Sequence, residues 1–125
     1  MNPVELFEQD AEFVTLAPGE PLFTEGDTGE EMYVVMEGTL AIIVAGKVVE
    51  SAGPGALLGE LALIDKEPRA ATVLARSVTK LAKIDRERFY GLVQKDPEFA
   101  IFVMKVLADR LRQMNEKLMQ ERMSK

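Results

Sequence analysis

Short apolar runs separated by closely spaced turn signals fill residues 13 to 84, and this pattern restricts the fold more than any other feature of the sequence. The turn signals are APGEP (17–21), EGDTGEE (25–31), EG (37–38), AGK (45–47) and AGPG (52–55). The roughly eight to twelve residues between turns suit short strands joined by hairpins, whereas βαβ units need longer crossovers. The pattern therefore predicts an antiparallel jelly roll or barrel.

Two of the runs, MYVVM (32–36) and TLAIIV (39–44), are apolar on both faces of a strand. A strand with one solvated face alternates apolar and polar residues, so a run without alternation indicates burial on both sides. We therefore expect each run to be covered once by the core of the roll and once by another part of the chain.

A short helix is predicted before the strands. Asn2 followed by Pro3 combines a capping side chain with a proline at the first helical position. We expect this helix to run through about Ala11, because the turn signals of the roll begin after that residue.

The apolar period becomes helical after Ile84. Asp85 is placed to cap a helix RERFYGLVQK (86–95), and Asp96–Pro97–Glu98 places a cap, a proline and an acid at the start of a long final helix. The expected fold class is therefore α+β. The prediction is a single domain over residues 1–125, in which an antiparallel β-roll (13–84; jelly roll or double-stranded β-helix) precedes C-terminal helices (85–125).

The final helix carries an apolar seam at spacings of three and four residues, formed by Met104, Leu107, Leu111, Met114 and Leu118. Such spacing is typical of the a and d positions of a coiled coil, but the next seam position is Glu121, which limits the seam to about two heptads. Two alternatives remain: the helix packs on the roll, or the seam forms a homodimer.

Several classes of function are disfavoured by composition. The chain has no cysteine and no histidine, which removes thiolates, the commonest general base and the commonest transition-metal ligand. None of the three serines (Ser51, Ser77 and Ser124) lies in a nucleophile-elbow pattern. We therefore expect a protein that is not an enzyme and holds no metal. A small cupin-type jelly-roll enzyme is the catalytic alternative, and it would need metal ligands.

The charge is unevenly distributed along the chain. Residues 1–65 carry thirteen acids and one base, whereas residues 66–125 carry eight acids and fourteen bases. No helix-turn-helix follows the basic half, so we expect no nucleic acid as partner. The first residues lack the basic and apolar regions of a signal peptide, and no apolar run is long enough for a bilayer. The cytoplasm is the expected location, without a membrane partner.

Three glycines lie close together in GPGALLGELALI (53–64). A dinucleotide-binding fingerprint would need glycine at position 58, where leucine stands, together with a parallel βαβ unit. A Walker A loop would need Gly-Lys-Ser/Thr, and the sequence contains none. Both phosphate-binding glycine motifs are therefore excluded.

The stretch GELALI…PRAATV (59–73) resembles the phosphate-binding cassette of cyclic nucleotide-binding domains. The likeness is closest to the domain of the cAMP-dependent protein kinase regulatory subunit, and bacterial catabolite-activator-type regulators share a looser version. PLFTEGDTGEEMYVVMEGTLAI (21–42) is similar to the strand and turn section that precedes the cassette in this family. The resemblance covers roughly residues 14–115 and places the cassette within residues 53–73.

The resemblance implies a role for each residue of the cassette. Glu60 would accept a hydrogen bond from the ribose 2′-hydroxyl, and Gly59 would let the backbone approach the sugar. Residues 60–64 would form one helical turn whose free N–H groups suit an anion. Arg69 would donate to the exocyclic phosphate oxygens, with the amides of Ala70 and Ala71 beside it.

Further ligand contacts are implied by the same resemblance. They are Leu58, Leu61 and Ala62 around the cassette, Ile42 and Val49 near the ribose and base, and Met114 and Asn115 over the base. A hydroxyl residue directly after the arginine often accompanies cGMP in this family. Ala70 stands at that position, so cAMP is the expected ligand and cGMP is less favoured. Asp65 and Glu67 add negative charge nearby, and we expect them to face solvent.

The expected function is that of a non-catalytic cyclic nucleotide sensor. Ligand binding would move the C-terminal helix over the base, and this movement would signal to an effector protein or a dimer mate. The alternative is a structural or protein-interaction domain whose degenerate cassette no longer binds nucleotide.

Overall fold

The computed structural model of the chain describes residues 1–9 and 11–123. In chain order the elements are α1 (Pro3–Phe7), β1 (Glu12–Leu16), β2 (Pro21–Phe23), β3 (Met32–Glu37), β4 (Leu40–Val44), β5 (Lys47–Ala52), β6 (Leu57–Leu58), α2 (Glu60–Asp65), β7 (Thr72–Ala75), β8 (Thr79–Ile84), α3 (Arg86–Lys95) and α4 (Pro97–Met123). The α+β prediction is confirmed, with the strands between α1 and α3.

The strands form two four-stranded sheets, ordered β1-β8-β3-β6 and β2-β7-β4-β5, and every pairing is antiparallel. Among the described strands, only the consecutive pair β4 and β5 lies side by side, and each of the other six connections passes from one sheet to the other. This exchange between facing sheets is the jelly-roll arrangement that the turn spacing predicts.

The two-sided burial predicted for MYVVM is confirmed, because residues 32–36 are all buried in β3. The prediction for TLAIIV is confirmed only in part: Leu40 and Ala41 are buried, but exposure rises along β4 to 38% at Val44. The reason is the position of β4 beside the edge strand β5, whose residues 47–51 are exposed. The end of β4 lies where little of the chain covers the sheet.

The β4–β5 hairpin turns on Ala45 and Gly46, which have φ values of 51° and 79°. Positive φ at both central residues defines a type I′ turn, whose twist matches that of the paired strands. The AGK signal is therefore a two-residue hairpin turn.

The N-terminal helix is shorter than predicted. Asn2 caps it as expected, accepting a hydrogen bond from the N–H of Val4 at 3.0 Å, but α1 ends at Phe7 instead of about Ala11. Phe7 is fully buried, whereas the next residues, Glu8 and Gln9, are polar and exposed. A helix this short is held by packing, and Phe7 is its last apolar anchor.

Both C-terminal helices begin where the caps predict. Asp85 Oδ1 accepts from the N–H of Arg88 at 2.8 Å, and Asp96 Oδ1 accepts from the N–H of Glu98 at 3.2 Å. The chain divides into two compact units, Asn2–Tyr90 and Met1 with Gly91–Lys125. The first unit contains both sheets and α2, and the second contains α4.

Candidate functional site

Arg69 is buried in the first unit, with its side chain only 3% exposed. Its Nη1 donates to the carbonyl oxygen of Glu31 at 2.9 Å and to that of Gly59 at 3.2 Å. Its guanidinium carbon lies 4.3 Å from the centroid of the Phe23 ring, a cation–π distance. A charge is seldom buried without partners, and these contacts hold the cation away from bulk water.

The main chain of Arg69 is also fixed. Its N–H donates to the carbonyl of Asp27 at 2.8 Å, and its carbonyl accepts from the N–H of Gly26 at 2.9 Å. Thr72 Oγ1 accepts from the N–H of Glu25 at 2.9 Å. The segment that enters β7 is therefore tied to the turn that follows β2.

Two glycines shape the space around the guanidinium. A Cβ on Gly59 would overlap with Nη1, and a Cβ on Gly29 would overlap with Nη2. Gly59 also has a φ of 77°, in the left-handed region, whereas the φ of Gly29 lies outside that region. A side chain at either position would therefore have to displace the guanidinium, and at position 59 it would also strain the backbone.

Glu60 begins α2, directly after Gly59, and is 2% exposed. Ala62 and Leu63 are buried, whereas Leu61 and Ile64 are each 46% exposed. The predicted helical turn at 60–64 is confirmed, with one additional residue at its end. It places one buried carboxylate beside the glycine whose carbonyl holds Arg69.

The other residues assigned to the site differ in exposure. Leu58 is buried at the end of β6, Ile42 is half-buried on β4, and Val49 is 45% exposed on β5. Ala70 is exposed and Ala71 half-buried directly after the arginine. The nearby acids Asp65 and Glu67 are exposed, as predicted. Gly59, Glu60 and Arg69 are thus brought together, although Arg69 lies nine positions after Glu60 in sequence.

Met114 and Asn115 belong to the second unit. Both are exposed on the C-terminal half of α4, and Met114 has 63% exposure. Their role over the base therefore stays a prediction.

Sequence reasoning assigned no role to Glu31, Phe23 and Gly29, which surround the guanidinium. The carboxylate of Glu31 approaches Arg69 Nη2 at 3.6 Å and is 32% exposed. All three residues lie in PLFTEGDTGEEMYVV (21–35), the section that resembles the family upstream of the cassette. That resemblance marked the region but did not assign contacts to the arginine.

Tyr33 reflects the electrostatics of this region. Burial raises the pKa of its phenol above the ordinary value, and the negative charge of Glu31 adds to the rise, while Arg69 acts in the opposite direction. The phenol therefore stays neutral at physiological pH. Its ring lies 6.4 Å from that of Phe23, the ring that also contacts the guanidinium.

The geometry leaves part of the arginine available for a ligand. A guanidinium carries five N–H donors, and the two on Nη1 are used by carbonyl oxygens. Among the described residues, those on Nε and Nη2 make no hydrogen bond, although the Glu31 carboxylate lies near Nη2. Two adjacent donors on one edge match two oxygens of a phosphate or carboxylate. The site therefore suits a small anion.

Two other kinds of feature are absent from the described part of the chain. No group of three or more Asp and Glu residues there is arranged to hold a metal ion. No helix between residues 1 and 123, Asp10 excepted, has the length and apolar character needed to cross a membrane.

A model of the cyclic nucleotide-binding domain matches residues 13–96, which include both sheets and the arginine site. The lysophospholipase nte1 of Aspergillus terreus is 34% identical over 116 residues, covering 89% of this chain and 8% of that protein. The cAMP-dependent protein kinase regulatory subunit of Yarrowia lipolytica is 45% identical over 71 residues, covering 57% of this chain and 19% of that protein. The chain thus spans less than a fifth of the length of either relative.

Solved structures are also similar. The catabolite activator protein of Thermus thermophilus superimposes with a TM-score of 0.80 at 30% identity, covering 86% of this chain and 53% of that one. A cyclic nucleotide-binding domain from Methylobacillus flagellatus superimposes with a TM-score of 0.78 at 25% identity, covering 87% of this chain and 66% of that one.

Proposed function

Since the chain belongs to the cyclic nucleotide-binding domain family, we propose that it is a non-catalytic sensor of a cyclic nucleotide, with cAMP preferred and with Arg69 as the phosphate-binding residue. The observation that carries the proposal is the buried guanidinium, which has unused donors on one edge and glycines at 29 and 59 beside it. A cyclic 3′,5′-phosphate is a compact monoanion with two exocyclic oxygens, so one forked cation matches it.

The other proposed contacts with the nucleotide are those that the resemblance to the family cassette implies. The buried Glu60 accepts from the ribose 2′-hydroxyl, and the amides of Ala70 and Ala71 lie beside the phosphate. Leu58, Leu61 and Ala62 contact the ligand around the cassette. Ile42 and Val49 lie near the ribose and base, with Met114 and Asn115 over the base. The preference for cAMP rests on Ala70, which has no hydroxyl to offer a guanine amino group.

The direct test is a thermal-shift panel of cAMP, cGMP and cyclic dinucleotides on the purified chain. We expect cAMP to raise the unfolding temperature most, because a ligand that binds only the folded state stabilises it in proportion to the logarithm of its concentration over Kd. An unchanged unfolding temperature with every ligand would favour the alternative, an interaction domain with a degenerate cassette.

The proposed output is a movement of α4. The division of the chain into two compact units supports it, since the boundary falls at Gly91, inside α3. A glycine in a helix interior weakens the helix by about 1 kcal/mol relative to alanine. A Cβ at Gly91 would meet nothing within 4 Å, so no close contact requires glycine there. The position is therefore suited to bending.

The partner of the sensor is a separate part of the proposal. Either a second copy binds through Met104, Leu107, Leu111, Met114 and Leu118, or an effector protein does. The effector is either a separate protein or another part of a longer polypeptide, as the short coverage of both relatives allows.

The ribose contact predicts a selective effect of Glu60→Gln. We expect the variant to bind cAMP about tenfold more weakly or worse, because a hydrogen bond to a charged group contributes about 1.5–3 kcal/mol. Binding of 2′-deoxy-cAMP should change little. Calorimetric titration of both ligands on both proteins measures the difference, and equal losses for the two ligands would contradict the ribose role.

Substitution of Glu31 is expected to change cAMP affinity in the opposite direction. Its carboxylate lies 3.6 Å from Arg69 Nη2, where an incoming phosphate would meet it as a second anion. We expect Glu31→Gln to raise cAMP affinity by about 1.4- to fivefold, the range set by partly exposed ion pairs of about 0.2–1 kcal/mol. Glu30→Gln is the matched control, since Glu30 is exposed and carries the same charge. If both variants gain equally, the effect is general electrostatics and not competition for Arg69.

A further inference from the structure

Helix α4 presents an apolar seam to solvent between residues 104 and 118. Of the seam residues Met104, Leu107, Leu111, Met114 and Leu118, all but the half-buried Leu107 are 55–63% exposed. Residues 111–123 are exposed at every position. Apolar residues at coiled-coil spacing on an exposed helix indicate a surface that another helix covers.

The positions that flank the seam carry charge of one sign. With Met104, Leu111 and Leu118 at position a, the g positions include Arg110 and Lys117, and the e positions include Arg122. The other e and g positions between 103 and 122 are the uncharged Val103, Ala108 and Asn115. We call Arg110, Lys117 and Arg122 the basic flank. The acids Asp109 and Glu116 occupy position f, on the side of the helix opposite the seam.

A second copy of this helix is a poor occupant of the seam. In a parallel pair, position g of one helix faces the next e position of the other, which sets Lys117 against the Arg122 of the second copy. In an antiparallel pair g faces g and e faces e, which sets members of the basic flank against one another. Every charged contact between copies along the seam is therefore repulsive.

An anionic membrane is also a poorer fit than a helix. Residues 104–123 carry five bases and three acids, so their net charge is small. The exposed apolar residues in this segment are methionines and leucines, without the tryptophans or phenylalanines typical of helices that lie in a bilayer interface. The apolar stripe follows the narrow a/d spacing of a helix–helix contact.

We propose that this seam docks an amphipathic helix of an effector whose apolar stripe is flanked by glutamate or aspartate. Acidic residues at the partner's e and g positions would contact the basic flank. Each charged contact that is repulsive between two copies of α4 is then attractive between α4 and the partner helix. Methionines at 104 and 114 adapt their shape to the side chains of the incoming helix. The proposal rests on the proposed function and names the partner of the sensor by its chemistry.

The probe is a pair of synthetic three-heptad peptides, both with leucine at a and d. One has glutamate at every e and g position, and the control has lysine there. The full 125-residue chain is titrated with each peptide by calorimetry or by NMR of the labelled chain. We expect the acidic peptide to bind at least tenfold more tightly than the basic one, with affinity falling as salt rises.

Charge reversal tests the assignment. We expect K117E/R122E to reverse the preference between the two peptides. K105E/R112E makes the same change in charge at b positions, outside the predicted contact, and should keep the original preference. Circular dichroism checks that both variants retain their helix.

Three results would overturn the proposal. The first is equal binding of both peptides, or binding of neither. The second is a stable dimer of the chain alone that Leu111→Glu dissociates, which assigns the seam to a second copy. The third is co-sedimentation with phosphatidylserine vesicles without binding of the acidic peptide. cAMP titrations on the same samples separate this proposal from the proposed function, because the seam variants leave Arg69 and the cassette intact.

Discussion

Arg69→Ala is expected to reduce cAMP affinity by about 10- to 150-fold, the largest effect of any single substitution in the chain. This range corresponds to about 1.5–3 kcal/mol for hydrogen bonds to a charged group. The side chain is 3% exposed, so little water screens its attraction for a phosphate. Calorimetric titration with cAMP measures the loss.

Controls for this substitution separate charge, shape and stability. Arg69→Lys keeps the positive charge but not the fork, so we expect its affinity to fall between those of the wild type and the alanine variant. Arg76→Ala removes the same charge from an exposed arginine that bonds Ser51 Oγ at 2.8 Å, and it should bind cAMP normally. Thermal unfolding identifies any fraction lost to misfolding, since Arg69 also holds two carbonyl oxygens. Full binding by Arg69→Ala would remove the arginine from the site.

Alanine at either of the two glycines beside the guanidinium is expected to weaken cAMP binding by about tenfold or more, because the added methyl group displaces the guanidinium and with it the donors that face the phosphate. Gly29→Ala isolates this steric effect, since the φ of Gly29 lies outside the left-handed region that disfavours a side chain. Gly59→Ala adds the strain of a positive φ, about 1–2 kcal/mol for a residue with a side chain.

Gly46→Ala is the matched control for that strain. Its φ is 79°, close to the 77° of Gly59, but a Cβ there would meet nothing within 4 Å. We expect Gly46→Ala and Gly59→Ala to lower the unfolding temperature for the same backbone reason, and only Gly59→Ala to lose cAMP affinity as well. Normal binding by Gly29→Ala and Gly59→Ala would mean that the guanidinium is not where the ligand binds.

Local signals predicted the architecture well where a short segment determines its own structure. Asn2, Asp85 and Asp96 cap helices that begin where the sequence indicates, because a capping side chain acts on N–H groups two or three residues away. The predicted end of α1, at about Ala11, was wrong, because the end of this helix depends on which residues are buried after Phe7. Burial is decided by tertiary packing.

Only the part of the site that lies in one contiguous stretch of sequence was predicted, because the rest depends on tertiary packing. The resemblance to the family, which the match over residues 13–96 confirms, located the cassette from one contiguous stretch. Glu31 lies 38 residues before Arg69, and their contact arises only when β3 and the cassette come together in the folded chain. No periodicity relates such distant positions. The increase in side-chain exposure along β4 was also not predicted, because it depends on which strand lies at the edge of the sheet.

The paired hydrogen bonds between Arg69 and residues 26–27 have a consequence for experiments that report on slow opening. The amides of Gly26 and Arg69 are each bonded across the same junction, so neither can exchange with deuterium unless that junction separates. Their exchange rates should therefore rise and fall together. A substitution in the exposed turn at 25–28 is then able to loosen the cation from a distance, without altering any group that touches a nucleotide.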